Sequence, residues 1–164
     1  MNIIVKTNSA DETRALGRII GEYMPAGTAI AASGGLGLGK TAFAQGLALG
    51  LGILGPVTSP TYIYIQEYEG RLPFSHIDAY RMEQLEDEEI ANLGLGDCFL
   101  PGRTAYVEWP EFAQSFLPLD IIKLQFTAVP SQTEARELSF DYHEEKFPWL
   151  TPLLKASAYA ALSL

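Results

Sequence analysis

Residues 33–41 read Ser-Gly-Gly-Leu-Gly-Leu-Gly-Lys-Thr, so Gly34 and Gly39-Lys40-Thr41 stand at the spacing G-x-x-x-x-G-K-[ST]. The pattern has a chemical reason: bare backbone N–H groups curl around phosphate oxygens, Lys40 reaches the β- and γ-phosphates, and Thr41 offers its hydroxyl to Mg²⁺. Glycine permits the positive φ angles and the close backbone approach, and a helix that follows adds its N-terminal dipole. At ordinary residue frequencies fewer than about one chain in a hundred of this length would carry the pattern by accident. The flanks meet the structural requirement. Thr28 to Ala32 is small and apolar without polar alternation, as in a strand covered on both faces of an α/β sheet, and Ala42, Phe43, Leu47 and Leu51 then fit a helix ending at Gly50 and Gly52. The loop Gly34, Gly35, Leu36, Gly37, Leu38, Gly39, Lys40, Thr41 is therefore read as a nucleoside-triphosphate site in an α/β fold.

The rest of the chain supplies more elements of the same kind. Ile3 to Lys6 is β-prone, and Ser9-Ala10-Asp11-Glu12 has the S-x-x-E spacing of a helix start. Ala15, Leu16, Ile19, Ile20 and Tyr23 predict one apolar stripe before Pro25 and Gly27 stop the helix. Tyr62 to Gln66 alternates as a half-exposed strand, Phe74 to Asp78 and Thr104 to Glu108 are short strands, and Ile121 to Thr127 and Ala135 to Tyr142 are two late ones. An acidic helix is expected from about Glu83 to Leu93, and an apolar one after Pro148. With 164 residues the chain suits one domain over 1–164. Eleven Lys and Arg against 20 Asp and Glu leave a net charge of −9, which repels phosphate backbones and anionic lipid at long range. Cys98 is the only cysteine, so there is neither an internal disulfide nor a cysteine-rich zinc site. No signal peptide or membrane-length apolar run is evident, and a cytoplasmic protein is expected.

A phosphate loop of this type works with a second carboxylate at a strand end. Asp78 closes Phe74-Ser75-His76-Ile77-Asp78 and Glu108 closes Thr104-Ala105-Tyr106-Val107-Glu108; strand position alone does not choose between them. His76 invites a general-base role, but a hydrogen-bonded structural histidine is the better reading. The acidic run Glu86 to Glu89 reads as a solvated helix face, and Trp149, Leu150, Leu153 and Leu154 as a stripe packed on the sheet.

Taken in order, GGLGLGKT, SPTY, SHIDAYR and VEWP resemble the TsaE family, small bacterial P-loop ATPases needed for threonylcarbamoyladenosine formation in tRNA. The resemblance runs from the N-terminal helix to the ARELSF segment. It implies a P-loop three-layer α/β sandwich with a mainly parallel sheet and antiparallel additions, ATP and Mg²⁺, and work beside TsaD and TsaB, with tRNA met through that complex and no membrane. Residue by residue, it implies Thr41 and Glu108 as metal ligands, Ser59-Pro60-Thr61 as a switch-like segment with Thr61 near the γ-phosphate, and Asp78 in the H-x-D-x-Y-R element. Lys40, Thr61 and Asp78 are the catalytic candidates. Trp109 is placed beside the nucleotide, Ser9 and Ala10 near the adenine, and Arg136 is a further contact. Where the family usually has G-D-L-G-A-G-K-T, this chain has Gly35 in place of the acid and Leu38 in place of the small residue. Phosphate cradling by backbone and Lys40 is expected to survive, with hydrolysis open to change.

The mechanism expected is in-line attack of water on the γ-phosphoryl, slow alone and faster with a partner, since a free-standing arginine finger is not evident: Arg71, Arg81 and Arg103 are the candidates, and Arg81 beside Asp78 is better read as its ion-pair partner. Two other classes fit a P-loop: a small-molecule kinase, which lacks an Arg-rich lid between Glu83 and Arg103, and an ATP-sensing module with little hydrolysis.

Overall fold

Among the described residues seven strands form a single sheet, in the order Asn2–Thr7, Gln132–Asp141, Ile122–Val129, Ala29–Ser33, Thr104–Glu108, Pro73–Asp78, Ile65–Glu69. The computed structural model describes residues 1–58 and 64–159. The strands are β1 (Asn2–Thr7), β2 (Ala29–Ser33), β3 (Ile65–Glu69), β4 (Pro73–Asp78), β5 (Thr104–Glu108), β6 (Ile122–Val129) and β7 (Gln132–Asp141). Its centre, β6-β2-β5-β4, is parallel throughout, while β3 and the pair β7 and β1 add antiparallel edges. The α/β fold expected from the loop and its flanks is the one observed.

One face carries helices α1 (Ala10–Tyr23), α2 (Lys40–Gly50) and α4 (Leu150–Ala156), packed on Ile3, Val5, Ile30, Tyr106, Leu124, Phe126, Leu138 and Phe140. α1 begins at Ser9, whose Oγ accepts from the Glu12 N–H at 3.1 Å; the Glu12 carboxylate in turn accepts from the N–H of Asn8, one residue earlier than a capping box requires. The stripe expected on α1 is displaced. Leu16 and Ile20 are buried together with Thr13, Gly17 and Gly21, while Tyr23 is exposed, because the glycines let α1 lie directly on the backbone of α2. A Cβ built on Gly46 would stand 2.0 Å from the Arg14 carbonyl oxygen, and one on Gly17 2.4 Å from that of Phe43.

Among the described residues the other face is covered only over β2, β5 and β4, by three 3₁₀ segments (Tyr80–Gln84, Leu95–Phe99, Pro110–Phe116) and α3 (Asp87–Asn92). The single acidic helix expected from Glu83 to Leu93 is thus two short pieces. Leu85 and Glu86 are extended between them, and Glu86 caps α3 in a capping box with Glu89. Trp149 and Leu153 of the C-terminal stripe pack against the sheet-side core, with Leu150 and Leu154 buried in it. No helix among the described residues is long and apolar enough to cross a membrane.

Candidate functional site

The C-terminal ends of β2, β4 and β5 converge on the start of α2, and the crevice between them has a volume of about 560 Å³. Leu36, Gly37, Gly39, Lys40 and Thr41 line it from the loop, Asp78, Tyr80 and Arg81 from the end of β4, and Glu108 and Trp109 from the end of β5. Gly34 leaves β2 with φ +134°, and a Cβ there would meet the Phe126 carbonyl oxygen at 2.7 Å; only glycine passes between β2 and β6. Gly39, at φ +101°, is the N-cap of α2 and makes no side-chain cap. The first N–H groups of a helix lack intrahelical acceptors, so α2 presents donors and its positive dipole end toward the loop.

Lys40 is only 4% exposed. Its ammonium donates to the carbonyls of Gly34 at 2.6 Å and Gly35 at 2.8 Å and lies 4.1 Å from the Trp109 ring centroid. Burial pushes its pKa below the usual lysine value, with Glu108, Glu111 and Asp78 pulling it back up. The Tyr106 hydroxyl, fully buried and held in its neutral form by that burial, donates to the Lys40 carbonyl at 2.9 Å. Trp109 stands at φ 57°, ψ 52°, a left-handed conformation that costs a bulky residue strain and recurs at functional sites. Its N–H is held by Ala32, and Tyr80 packs on its ring at 5.1 Å.

Asp78 and Glu108 are register partners on adjacent strands, so both carboxylates of the sequence reading reach the same crevice, in different environments. Glu108 is 3% exposed and accepts from Thr41 Oγ1 at 3.2 Å and from His76 Nε2 at 2.8 Å. Asp78 is half-buried and its Oδ1 accepts from the Tyr80 N–H at 3.0 Å. Thr41 with Glu108 is therefore the oxygen pair suited to a hard cation.

The other nominated residues lie elsewhere. Ser9 and Ala10 begin α1, whose Thr13 would touch a Cβ on Gly39 at 3.5 Å, but neither lines the crevice. Arg136, in register with Thr7, turns its guanidinium onto the carbonyls of Thr133 and Ala135. Ser59, Pro60 and Thr61 fall outside the described residues. Of the three arginines weighed as fingers, Arg71 donates to the carbonyls of Gly21 and Met24 at the end of α1, Arg103 pairs with Glu67, and Arg81 lines the crevice. Sequence reasoning missed Tyr106 and did not see that His76 takes Glu108 as its partner. The shared i, i+2 parity of Tyr106 with Glu108 on β5 was the available signal for the former.

The family model for the threonylcarbamoyl adenosine biosynthesis protein TsaE matches residues 7–138, from the end of β1 through most of β7. The chain belongs to the TsaE family. It is 38% identical to the Treponema pallidum tRNA threonylcarbamoyladenosine biosynthesis protein TsaE over 112 residues, covering 68% of this chain and 82% of that protein. It is 36% identical to the Bacillus subtilis TsaE over 136 residues, 82% of each chain. Among solved structures, the crystal structure of Bacillus subtilis YdiB superposes with a TM-score of 0.78 at 28% identity, covering 94% of this chain and 95% of that one. Membership of the TsaE family places the chain in threonylcarbamoyladenosine biosynthesis, and the glycine loop, Asp78, Glu108 and Trp109 all fall within the matched segment.

Proposed function

We propose that this TsaE-family chain is a cytoplasmic, Mg²⁺-dependent ATPase, one domain over residues 1–164, that supports threonylcarbamoyladenosine formation with TsaD and TsaB and meets tRNA through them. One observation carries the reading: the Lys40 ammonium sits at the head of a glycine loop, beside a Thr41–Glu108 oxygen pair, in one crevice at the C-terminal strand ends. The residues fit the ligands this implies. Gly34 opens the backbone where a side chain would clash, α2 directs its free N–H groups inward, and Thr41 and Glu108 are hard oxygen donors. A net charge of −9 supports tRNA contact through partners rather than directly.

Lys40 exchanges the Gly34 and Gly35 carbonyls for the β- and γ-oxygens of ATP and stabilises charge developing on them. Mg²⁺ bound beside Thr41 and Glu108 supplies further neutralisation of the same phosphates. Asp78, tethered by its Oδ1 to the Tyr80 N–H, orients the attacking water, and Thr61 is assigned the γ-phosphate side by the family pattern. Arg71 and Arg103 are engaged away from the crevice, which removes two of the three candidate fingers, and a partner-supplied group is expected to raise a low basal rate. Phosphate release measured alone and with TsaD and TsaB, with Lys40→Ala as blank, tests the whole. Slow release that the pair stimulates and the blank abolishes supports the proposal; release equal in Lys40→Ala, or a phosphorylated small-molecule acceptor, overturns it.

A further inference from the structure

A chain of hydrogen bonds runs from the crevice back into the core: Thr41 Oγ1 to Glu108, and Glu108 Oε1 to His76 Nε2 at 2.8 Å. His76 is fully buried on β4, its ring 5.7 Å from that of Tyr106 and 6.5 Å from that of Phe74. Its other nitrogen, Nδ1, has no hydrogen-bond partner among the described residues. Packing alone would be met by an apolar ring without stranding a polar atom, so the Glu108 contact is what this imidazole is placed to make. An ionised carboxylate only accepts, hence His76 donates from Nε2.

Glu108 has need of such a donor. It is almost completely buried at the end of β5, and a buried carboxylate must be hydrogen-bonded to be tolerated. Thr41 donates to it at 3.2 and 3.5 Å, to Oε1 and Oε2 respectively. The Thr41 hydroxyl has a single donor, which it keeps when a lone pair faces a cation, so it holds Glu108 from one side and His76 supplies the second, fixed donor. With Oε1 held by the imidazole, Oε2 is the oxygen left to face the cation.

We infer that His76 is a positioning residue, which fixes the Glu108 carboxylate so that the site's affinity for Mg²⁺ depends on it while nucleotide binding without metal does not. The inference rests on the cation-site reading above and sharpens it. Partners that orient ligating carboxylates cost about 10- to 100-fold in metal affinity when removed, and this is the effect expected of His76→Phe.

The test uses the full chain. Affinity for a non-hydrolysable ATP analogue is measured by calorimetry in chelator and across a Mg²⁺ titration, alongside the Mg²⁺ midpoint of phosphate release and the melting temperature. His76→Phe is expected to raise the Mg²⁺ midpoint at least about tenfold while metal-free affinity stays close to that of the native protein. His76→Gln, whose amide can reach Glu108, recovers most of the loss; His76→Asn, one methylene shorter, does not. This last pair carries the test if His76→Phe does not fold. An unmoved Mg²⁺ midpoint in folded His76→Phe, equal midpoints in the Gln and Asn variants, or metal-free affinity falling in step with the metal-dependent one each overturns the inference. Lys40→Ala separates the two levels: phosphate release that survives it defeats the ATPase reading itself, whatever His76 does.

Discussion

Among the described residues β2, β5 and β4 are covered on both faces, whereas β6, β7 and β1 are covered on one, and the two halves handle polar groups in opposite ways. Four of the five residues of β2 and all five of β5 are buried, without alternation. On β6 the pattern is strict alternation, Ile122, Leu124 and Phe126 inward against Lys123, Gln125 and Thr127 outward. The closed half nevertheless holds Glu108 and His76 inside, and Lys40 beside it, while the open flank turns its charges to water. Burial on both faces lowers the local dielectric around the strand ends, so a fixed ammonium, carboxylate and imidazole interact more strongly there than any pair on the flank. The flank contributes a core face; the closed half holds the charged residues of the candidate site.

The largest effect is expected where the helix layer shared by both halves is lifted, leaving in place the second cover that distinguishes the closed half. Gly46→Ala places a methyl 2.0 Å from the Arg14 carbonyl oxygen, a backbone atom that cannot swing aside, so α1 must lift from α2. We expect a loss of about 3 kcal/mol, the upper range for overpacking, read as a denaturation midpoint. A loss below about 0.5 kcal/mol would mean that the two helices are not locked together.

A smaller effect is expected from the buried charge itself. Because burial lowers the Lys40 pKa below 10.5, the folded state binds fewer protons than the unfolded chain over the interval between the lowered value and 10.5. The cost of burying the ammonium is therefore present in full at lower pH and is relieved as pH rises through that interval. Relative to Lys40→Met, the native protein should gain stability on going from neutral pH toward about 10.5, measured as the difference in denaturant midpoints. A constant difference would show that Lys40 is not held in a poorly solvated place.

Much of this division was legible in residue order. Ala29 to Ala32, apolar without alternation before the glycine loop, marks a doubly covered strand, and Ile122 to Thr127 marks a singly covered one. Thr41, Asp78 and Glu108 were legible as loop and strand-end chemistry. What stayed hidden depends on pairing between strands. Nothing in β4 alone says that His76 will meet Glu108, because β4 and β5 become neighbours only through a parallel crossover with register His76–Tyr106. The helix contact was hidden for a similar reason: Gly17, Gly21, Gly46 and Gly50 read as breaks in an apolar stripe until two helices are seen sharing one backbone contact.

Smaller again is the consequence of Gly35. A Cβ there meets only Leu38, at 3.5 Å and above, in ordinary contact, so Gly35→Asp should fold as the native chain does. Its acid would stand on the exposed rim, near the crevice but outside the buried pair. We expect unchanged ATP affinity and a severalfold change in phosphate release, on the scale of a partly solvated charge. Equal turnover in both proteins would show that the family acid is dispensable in this closed site.

The flank should give the smallest response of all. Lys123 and Asp141 stand opposite each other on β6 and β7, both exposed, so they can offer only a solvent-screened cross-strand attraction. Such pairs contribute about 0.2–1 kcal/mol, and less in salt. Lys123→Gln should therefore lower the denaturation midpoint slightly at low ionic strength, lose even that effect at high salt, and leave phosphate release untouched. The comparison is sharpest when Glu108→Gln is measured beside it. Both substitutions alter a single charge on a strand of the same sheet, but one lies at a doubly covered end against Thr41 and His76, the other on a face washed by solvent. Should Lys123→Gln change turnover as Glu108→Gln does, the open face could no longer be regarded as scaffold, because so exposed a charge can reach the crevice only through a partner or through movement of β6 against β2.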